Sequence, residues 1–257
     1  MAYISPYLTH FVGRSLPTDE DRYRLLITIL EHGLLRAPDW SDASTRNHEG
    51  RRVIHKMQRR SQINYSRALS RHDKYLSAAI CFCDIPLDDL AIHTTKYGRF
   101  GLSFPKTFLV QRGASPVFYV AATSPTDEIA PPERQYQGHQ MLPRAELFDM
   151  AEKEYADQIV RPGQPVSSPV GATPYRDPLE RFKAFANGYL FPFLKFFDPE
   201  KPDDDPENYY MEREWRVLGV VVFNTTDIAK VTIPQAYRGR LIADTDILPN
   251  AIHSLPD

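Results

Sequence analysis

The 257-residue sequence is poor in cysteine and has no marked excess of either charge. Its two cysteines, Cys81 and Cys83, cannot form a disulfide framework and lie too close along an extended segment for an unstrained bridge. With 31 basic and 33 acidic residues the formal charge is −2, which excludes a polyanion binder with a uniformly cationic surface. No apolar stretch approaches the roughly 20 residues of a membrane-spanning helix, and the N-terminal residues do not form a secretory leader. We therefore expect a cytoplasmic protein with no membrane contact.

The composition predicts a folded protein made of short elements. Hydrophobic residues make up 42% of the chain and aromatic residues 12%, enough for a large core, which excludes disorder of the whole chain. The 22 prolines favour turns and short elements over a helix bundle. We predict one domain over residues 1–257 of the α+β class, a split, mostly antiparallel pair of small sheets flanked by helices. A Pro- and Gly-rich loop is expected over residues 161–178.

One strongly basic stretch stands out, and we predict it to be a helical insertion over residues 46–75. Between Arg46 and Lys74 it carries nine basic and two acidic residues, a local charge of +7. Three uses fit this pattern: the solvated face of an amphipathic helix, a phosphate-contacting element for RNA or DNA, or a docking surface for an acidic protein partner. The candidate contact residues are Arg51, Arg52, Lys56, Arg59, Arg60 and Arg67.

Two carboxylates and a guanidinium alternate along a predicted strand, Glu212 to Phe223. Because side chains alternate across a strand, Glu212, Glu214 and Arg216 are expected on one face, just before the strand enters the core. One interpretation is a strand end closed by Glu–Arg pairing. The other is a functional carboxylate pair.

Six short segments, taken in their order along the chain, resemble the AbiGi family of bacterial abortive-infection systems. Members of that family are usually described as the antitoxin partner. The segments are Leu8 to Phe11, Ile29 to Gly33, Cys81 to Leu87, Tyr97 to Leu102, Pro116 to Val120 and Glu212 to Arg216. More distantly, the beginning of the chain resembles DarT-type ADP-ribosyltransferases, and the whole is similar to the ADP-ribosyltransferase fold with a His, Tyr, Glu triad.

The resemblance implies a fold, a substrate and a set of site residues. It implies the split antiparallel sheets of an ADP-ribosyltransferase and NAD as substrate. His10, Tyr97 and Glu214 match the triad, although Tyr119 or Glu212 could equally hold the second or third place. The implied catalytic residues are Glu214, Glu212 and Tyr97, and the implied NAD-binding residues are His10, Thr9, Tyr97 and Tyr119.

The chemistry of NAD cleavage is consistent with these residue types. Breaking the nicotinamide–ribose bond creates an oxocarbenium-like centre, which a carboxylate such as Glu214 stabilises. Glu212 would orient or deprotonate the acceptor, and Tyr97 would stack on the nicotinamide ring. No step requires a metal, and Cys81 and Cys83 lack the second ligand pair of a closed zinc site.

Two functions therefore stand side by side. The first is an NAD-dependent ADP-ribosyltransferase-like protein of an anti-phage toxin–antitoxin system, with nucleic acid as its acceptor. The alternative is a non-catalytic antitoxin or phage-sensing module that neutralises a partner toxin. The enzyme requires His10, Tyr97 and the beginning of the Glu212 strand to converge on one cleft, whereas the binding module does not.

Overall fold

The computed structural model describes residues 5–46, 52–59, 67–71, 73–76, 78–123, 143–158, 178–202, 205 and 209–256. The strands are β1 Tyr7–Phe11, β2 Leu34–Arg36, β3 Trp40–Arg46, β4 Arg52–Arg59, β5 Ala79–Cys83, β6 Gly101–Pro105, β7 Ser115–Pro116, β8 Phe118–Ala121, β9 Leu194–Phe197, β10 Glu214–Leu218, β11 Val220–Val222, β12 Lys230–Pro234 and β13 Ile252–Leu255. The helices are α1 Asp19–His32, α2 Asp73–Leu76, α3 Ala91–Tyr97, α4 Lys106–Val110, α5 Arg144–Gln158, α6 Pro178–Phe185 and α7 Arg238–Asp244. None of these helices is long and apolar enough to cross a membrane.

The fold is mixed α/β, and its centre is one large sheet. Within the described ranges seven strands pair in the order β13-β12-β6-β1-β5-β10-β7. All neighbours in this sheet are antiparallel except β12 and β13, which are parallel. The predicted predominance of antiparallel strands is present, but the main sheet is continuous rather than a pair of small sheets.

One side of this sheet, the core face, is apolar. Side chains of paired residues point to the same side, so the register assigns each residue to a face. The core face carries Leu8, Ile80, Phe82, Leu102, Phe104, Val217, Val231 and Ile233, all of them buried. The buried helix residues Tyr23, Leu26 and Leu30 of α1 belong to the same core. Burial of this apolar surface is the main force that holds the sheet together.

The other side, the polar face, is buried as well but carries hydrogen-bonding side chains. The pairs Thr9–Ser103, Thr9–Cys83 and Cys83–Glu214 form one row across β6, β1, β5 and β10. The hydroxyl groups of Thr9 and Ser103 share a hydrogen bond of 2.8 Å. Polar side chains at such depth are stable only when they find partners. The row ends at the buried carboxylate of Glu214.

Helix α1 follows its sequence signals closely. The Thr18 hydroxyl accepts a hydrogen bond from the Asp21 backbone N–H, as an N-cap residue does. Gly33 ends the helix in the left-handed conformation (φ +60°), and its N–H donates to the Ile29 and Leu30 carbonyls.

The predicted strand from Glu212 to Phe223 is two strands in two sheets. Gly219 (φ +86°) separates β10, which pairs with β5, from β11, which pairs with β2. A left-handed residue cannot continue a strand, so the chain changes sheet there. Glu212 lies outside both strands, in the helical turn Tyr209–Glu212.

The basic stretch does not form the predicted helix over 46–75. Residues Trp40–Arg46 and Arg52–Arg59 pair as the antiparallel strands β3 and β4, and the helical part is limited to Asp73–Leu76 in the described residues. The prediction was wrong because β-branched Val53 and Ile54 favour a strand once β3 supplies a partner. Of the Pro/Gly-rich loop predicted at 161–178, all but Pro178, the first residue of α6, lie outside the described residues.

Where the sequence predicts one domain, the chain divides into two compact units. The first comprises Met1–Arg60, Ala78–Val117 and Glu212–Asp257, and the second comprises Ser61–Ser77 and Phe118–Met211. Each has its own hydrophobic core. The second core is built from Leu69, Tyr75, Tyr155, Ala186, Phe191, Leu194 and Phe196.

The second unit contains a fully buried ion pair. Lys74 Nζ lies 2.5 Å from Glu152 Oε2, and the two side chains are 0% and 1% exposed. Lys74 also donates to the Arg67 carbonyl, and the Tyr75 hydroxyl donates to Glu152 Oε1 at 3.1 Å. These contacts join Arg67, Lys74 and Tyr75 to Glu152 of α5.

We predict that Gly33→Ala destabilises the protein by at least about 2 kcal/mol. The alanine would be strained in the left-handed backbone conformation of residue 33, and its Cβ would also clash with a neighbouring backbone atom. A Cβ at Gly33 would lie 2.4 Å from the Phe223 carbonyl oxygen. Urea unfolding measures the change. The control is Gly239→Ala on α7, where a Cβ meets nothing within 4 Å and stability should hold or rise slightly. Equal urea midpoints for Gly33→Ala and Gly239→Ala would contradict the assignment of a left-handed, closely packed backbone at Gly33.

We predict that Lys74→Met destabilises the protein by about 3–5 kcal/mol, because it leaves Glu152 buried without its counter-charge. The double variant Lys74→Met/Glu152→Leu should recover a large part of that loss, since no unpaired charge remains. Denaturant unfolding of these two variants and of Glu152→Leu alone gives the coupling energy between the two side chains. Additive losses would show that the pair is not coupled.

Candidate functional site

A cluster of polar side chains surrounds Tyr97, the last residue of α3. The Tyr97 hydroxyl donates a hydrogen bond to Glu212 Oε1. Lys96 Nζ donates to the same oxygen at 2.6 Å. Because the side chains of Lys96 and Glu212 are only 14% and 11% exposed, this ion pair is shielded from much of the solvent. Lys96 is a member of the site that the sequence reasoning did not select.

The Tyr97 ring is held between an aromatic ring and a cation. Phe11 stacks on it with centroids 5.9 Å apart, and the Arg14 guanidinium lies 4.9 Å from its centroid. Burial raises the pKa of the Tyr97 phenol well above its usual range, and the carboxylates of Glu212 and Glu214 raise it further. Tyr97 is therefore a neutral hydrogen-bond donor, not a phenolate base.

Glu214 begins β10 on the polar face, paired with Cys83 of β5. Arg216, two residues further on, donates from Nε to Glu214 Oε1 at 2.6 Å. The side chains are 6% and 3% exposed, so the pair is buried. The alternation predicted for Glu214 and Arg216 is present, and the Glu–Arg pairing interpretation holds for them, although inside the protein and not at an exposed strand end.

The turn between Glu212 and Glu214 depends on two residues that the sequence reasoning missed. Arg213 has a left-handed φ of +44°, and its carbonyl accepts the Asp84 backbone N–H at 3.2 Å. The Asp84 carboxylate accepts from Lys106 Nζ at 2.8 Å and lies 3.6 Å from Arg213 Nη2. No local sequence signal marks this set, because its members come from three separate segments.

His10 does not join this cluster through its side chain. It pairs with Leu102, and its ring lies 5.7 Å from that of Phe82, which places it on the core face. Its Nδ1–H donates to the Cys81 carbonyl at 2.8 Å. Glu214 occupies the opposite face of the sheet, so the expected convergence of His10 with Tyr97 and Glu214 on one cleft is not found. The reason is the two-residue period of β1.

Thr9 and Tyr119, the other two residues expected to bind NAD, have structural partners. Thr9 points to the polar face but is 1% exposed and bonded to Ser103. Tyr119 belongs to the second unit, where its ring packs against Phe197 and Tyr210.

The expected nucleic-acid or partner contacts are distributed over both units. Arg52, Lys56 and Arg59 lie on β4 in the first unit. Arg67 is exposed in the second unit, and Arg51 and Arg60 lie outside the described residues. Their role in binding nucleic acid or a partner stays a prediction, and no described helix contains all of them.

The two cysteines lie on the polar face of β5. Burial raises the pKa of the Cys83 thiol to about 12, and the nearby acids Glu212 and Asp84 add to the effect. A thiol with such a pKa is protonated and unreactive. Within the described ranges, no three His, Cys, Asp or Glu side chains are grouped as metal ligands.

Chemically, the cluster is a set of matched charges and donors. Each carboxylate has a cation: Lys96 for Glu212 and Arg216 for Glu214. Such pairing stabilises the charged carboxylates and orients them. A carboxylate held this way can still stabilise a cationic centre, but only a ligand that displaces or adds to its present partner would reach it.

Comparison with known proteins assigns a class to part of the chain. Residues 55–132 match the family described as "Putative abortive phage resistance protein AbiGi, antitoxin". A 55-residue stretch is 40% identical to the "Abortive phage resistance protein AbiGi" of Lactococcus lactis subsp. cremoris. Over these stretches the chain is similar to proteins described as abortive phage resistance proteins. Over the matched segment the chain is AbiGi-like, which confirms the predicted resemblance.

The matches are partial. The 55-residue stretch that is 40% identical covers 19% of this chain and 22% of the relative. No solved structure matches the chain. The DarT-like and ADP-ribosyltransferase-like features, together with NAD as a substrate, therefore remain predictions.

We predict that acid weakens the protein through His10. Burial lowers the pKa of His10, so the stabilisation is present above about pH 6.5, where the imidazole is neutral in both states, and is lost as pH falls below that value. His10→Asn retains an N–H donor for Cys81 but does not titrate. Between pH of about 8 and 5 it should lose about 1 kcal/mol less than the wild type in denaturant unfolding.

The control for this comparison is His32→Gln, because His32 is exposed at the end of α1. His10 is unchanged in this variant, so the acid loss that His10 contributes should remain. Equal acid losses for His10→Asn and the wild type would contradict the assignment of a partly buried imidazole that stays neutral in the folded protein.

Proposed function

We propose that this chain acts in abortive phage resistance as a non-catalytic, antitoxin-type protein that neutralises a partner toxin by binding it. The antitoxin description of the family that matches residues 55–132 supports this function. So does the state of the two candidate catalytic carboxylates, Glu212 and Glu214, which are buried and paired with cations.

One observation carries the proposal. His10 and Glu214 lie on opposite faces of the seven-stranded sheet, as the strand registers require. A transferase that uses both side chains on one NAD molecule needs them in one cleft. Moving either to the other face requires a one-residue shift of a buried strand, which would also turn its apolar residues out of the core.

A second function, NAD-dependent ADP-ribosyl transfer, is favoured by a different observation. Glu212 accepts the hydrogen bond of the Tyr97 hydroxyl, and the negative charges of Glu212 and Glu214 both raise the pKa of that phenol. In that case the site consists of Tyr97, Glu212 and Glu214, and His10 supports β1 through the Cys81 carbonyl. Glu214 would stabilise the ribose cation and Glu212 would orient the acceptor.

For partner binding, the basic ribbon β3–β4 is the element we favour. Its second strand carries Arg52, Lys56 and Arg59 within eight residues. This charge in a nearly neutral chain suits an acidic protein surface, and the candidate residues Arg51 and Arg60 border β4 in the sequence. RNA or DNA, or a phage component, is the other kind of partner that this charge would attract.

Toxin neutralisation and label transfer from NAD distinguish the two functions. Cells that express the toxin of the same defence system should grow only when this chain is present. Glu212→Gln should neutralise the toxin as well as the wild type, with the surface variant Glu31→Gln as control. Purified protein should transfer no label from NAD to RNA, DNA or protein.

Label transfer that Glu212→Gln and Glu214→Gln abolish and Glu31→Gln retains would overturn the antitoxin proposal in favour of the enzyme. Failure of the wild-type chain to restore growth, with the protein folded and expressed, would also overturn it.

A further inference from the structure

The carboxylate of Asp84 is buried, but only one of its two oxygens has partners. It is 5% exposed, and in the described part of the chain its Oδ1 has no hydrogen-bond partner. Its Oδ2 accepts from Lys106 and faces Arg213. A half-satisfied buried carboxylate costs free energy, so it needs a compensating role.

The neighbouring backbone is strained. Arg213 adopts φ +44°, a left-handed conformation that costs a residue with a side chain about 1–2 kcal/mol. Asp84 contacts Arg213 twice, through its backbone N–H to the Arg213 carbonyl and through its carboxylate to the guanidinium. These two contacts oppose relaxation of the turn to an extended conformation.

The left-handed turn decides where Glu212 lies. An extended Arg213 would continue β10 backward and leave Glu212 beside Glu214 on the polar face. Instead the chain turns at Arg213, and Glu212 ends the helical turn Tyr209–Glu212. There its carboxylate meets the Tyr97 hydroxyl and Lys96.

We propose that Asp84 is a positioning residue that holds Arg213 in the left-handed conformation and thereby places Glu212 against Tyr97, next to Glu214. This role goes beyond the proposed function, because it applies whether the cluster binds a partner or acts on a substrate. Asp84 does not itself contact Tyr97.

Glycine provides the test, because it adopts left-handed φ without strain. If Asp84 serves to hold Arg213, then Arg213→Gly should make Asp84 dispensable. The readout is the ring-carbon chemical shift of Tyr97 against pH in protein with isotope-labelled tyrosine, assigned with Tyr97→Phe. The charged groups that face this phenol are Glu212, Glu214, Arg14 and Lys96.

In the wild type we expect Tyr97 to stay protonated well above its ordinary pKa of about 10. In Asp84→Asn, Glu212 moves away, and the pKa of Tyr97 should fall by about 1–3 units because a nearby negative charge is lost. Adding Arg213→Gly should restore the high value, whereas adding Arg213→Ala should not. Circular dichroism confirms that each variant is folded.

Lys106→Gln is the matched control, because it changes one charge beside Asp84 while the Asp84–Arg213 contacts remain. It should leave the Tyr97 titration near that of the wild type. The proposal is overturned if Asp84→Asn leaves the titration unchanged, if Lys106→Gln lowers it equally, or if Arg213→Gly in the folded double variant does not restore it. None of these outcomes depends on toxin neutralisation or NAD.

Discussion

Side chains alternate across the seven-stranded sheet, and both of its faces are buried. One face therefore has to be apolar where helix α1 packs, while the other holds Thr9, Ser103, Glu214 and Arg216. A strand cannot slip by one residue without exchanging these two sets. The positions of the candidate site residues follow from this constraint, including the separation of His10 from Glu214.

Three ion pairs with little solvent exposure stand out in the described residues. Glu214 with Arg216 and Glu212 with Lys96 form the cluster near Tyr97, and Lys74 with Glu152 forms a third pair in the second unit. Desolvation of two ions costs several kcal/mol, so such pairs specify an arrangement more than they add stability. Removing one partner is therefore expected to do more damage than removing both.

The AbiGi-like segment and the polar cluster overlap only in part. Residues 55–132 include Cys83, Asp84, Lys96, Tyr97 and Lys106, whereas Glu212 to Arg216 lie outside the match. The segment Glu212 to Arg216 joins these residues only in the folded chain, through contacts with Tyr97, Lys96 and Asp84. A binding role needs no exposed carboxylate, which is consistent with the closed ion pairs, while a catalytic role requires the ligand to open them.

From sequence alone, the local elements with strong signals could be predicted. Helix α1 carries its Thr18 cap and its Gly33 stop in its own sequence, and the alternation of Glu214 and Arg216 appears as expected, because these signals lie within a few neighbouring residues. The AbiGi-like resemblance was also readable from short motifs.

Tertiary structure decided four other features: the strand β4, the break at Gly219, the left-handed Arg213 and the face on which His10 lies. Each of these depends on contact with a distant segment: β4 on β3, Gly219 on its backbone hydrogen bonds with Ala37 and Ala78, Arg213 on Asp84, and His10 on β6. Sequence spacing specifies which residues share a face of one strand, but only the packed sheet determines which face meets the core.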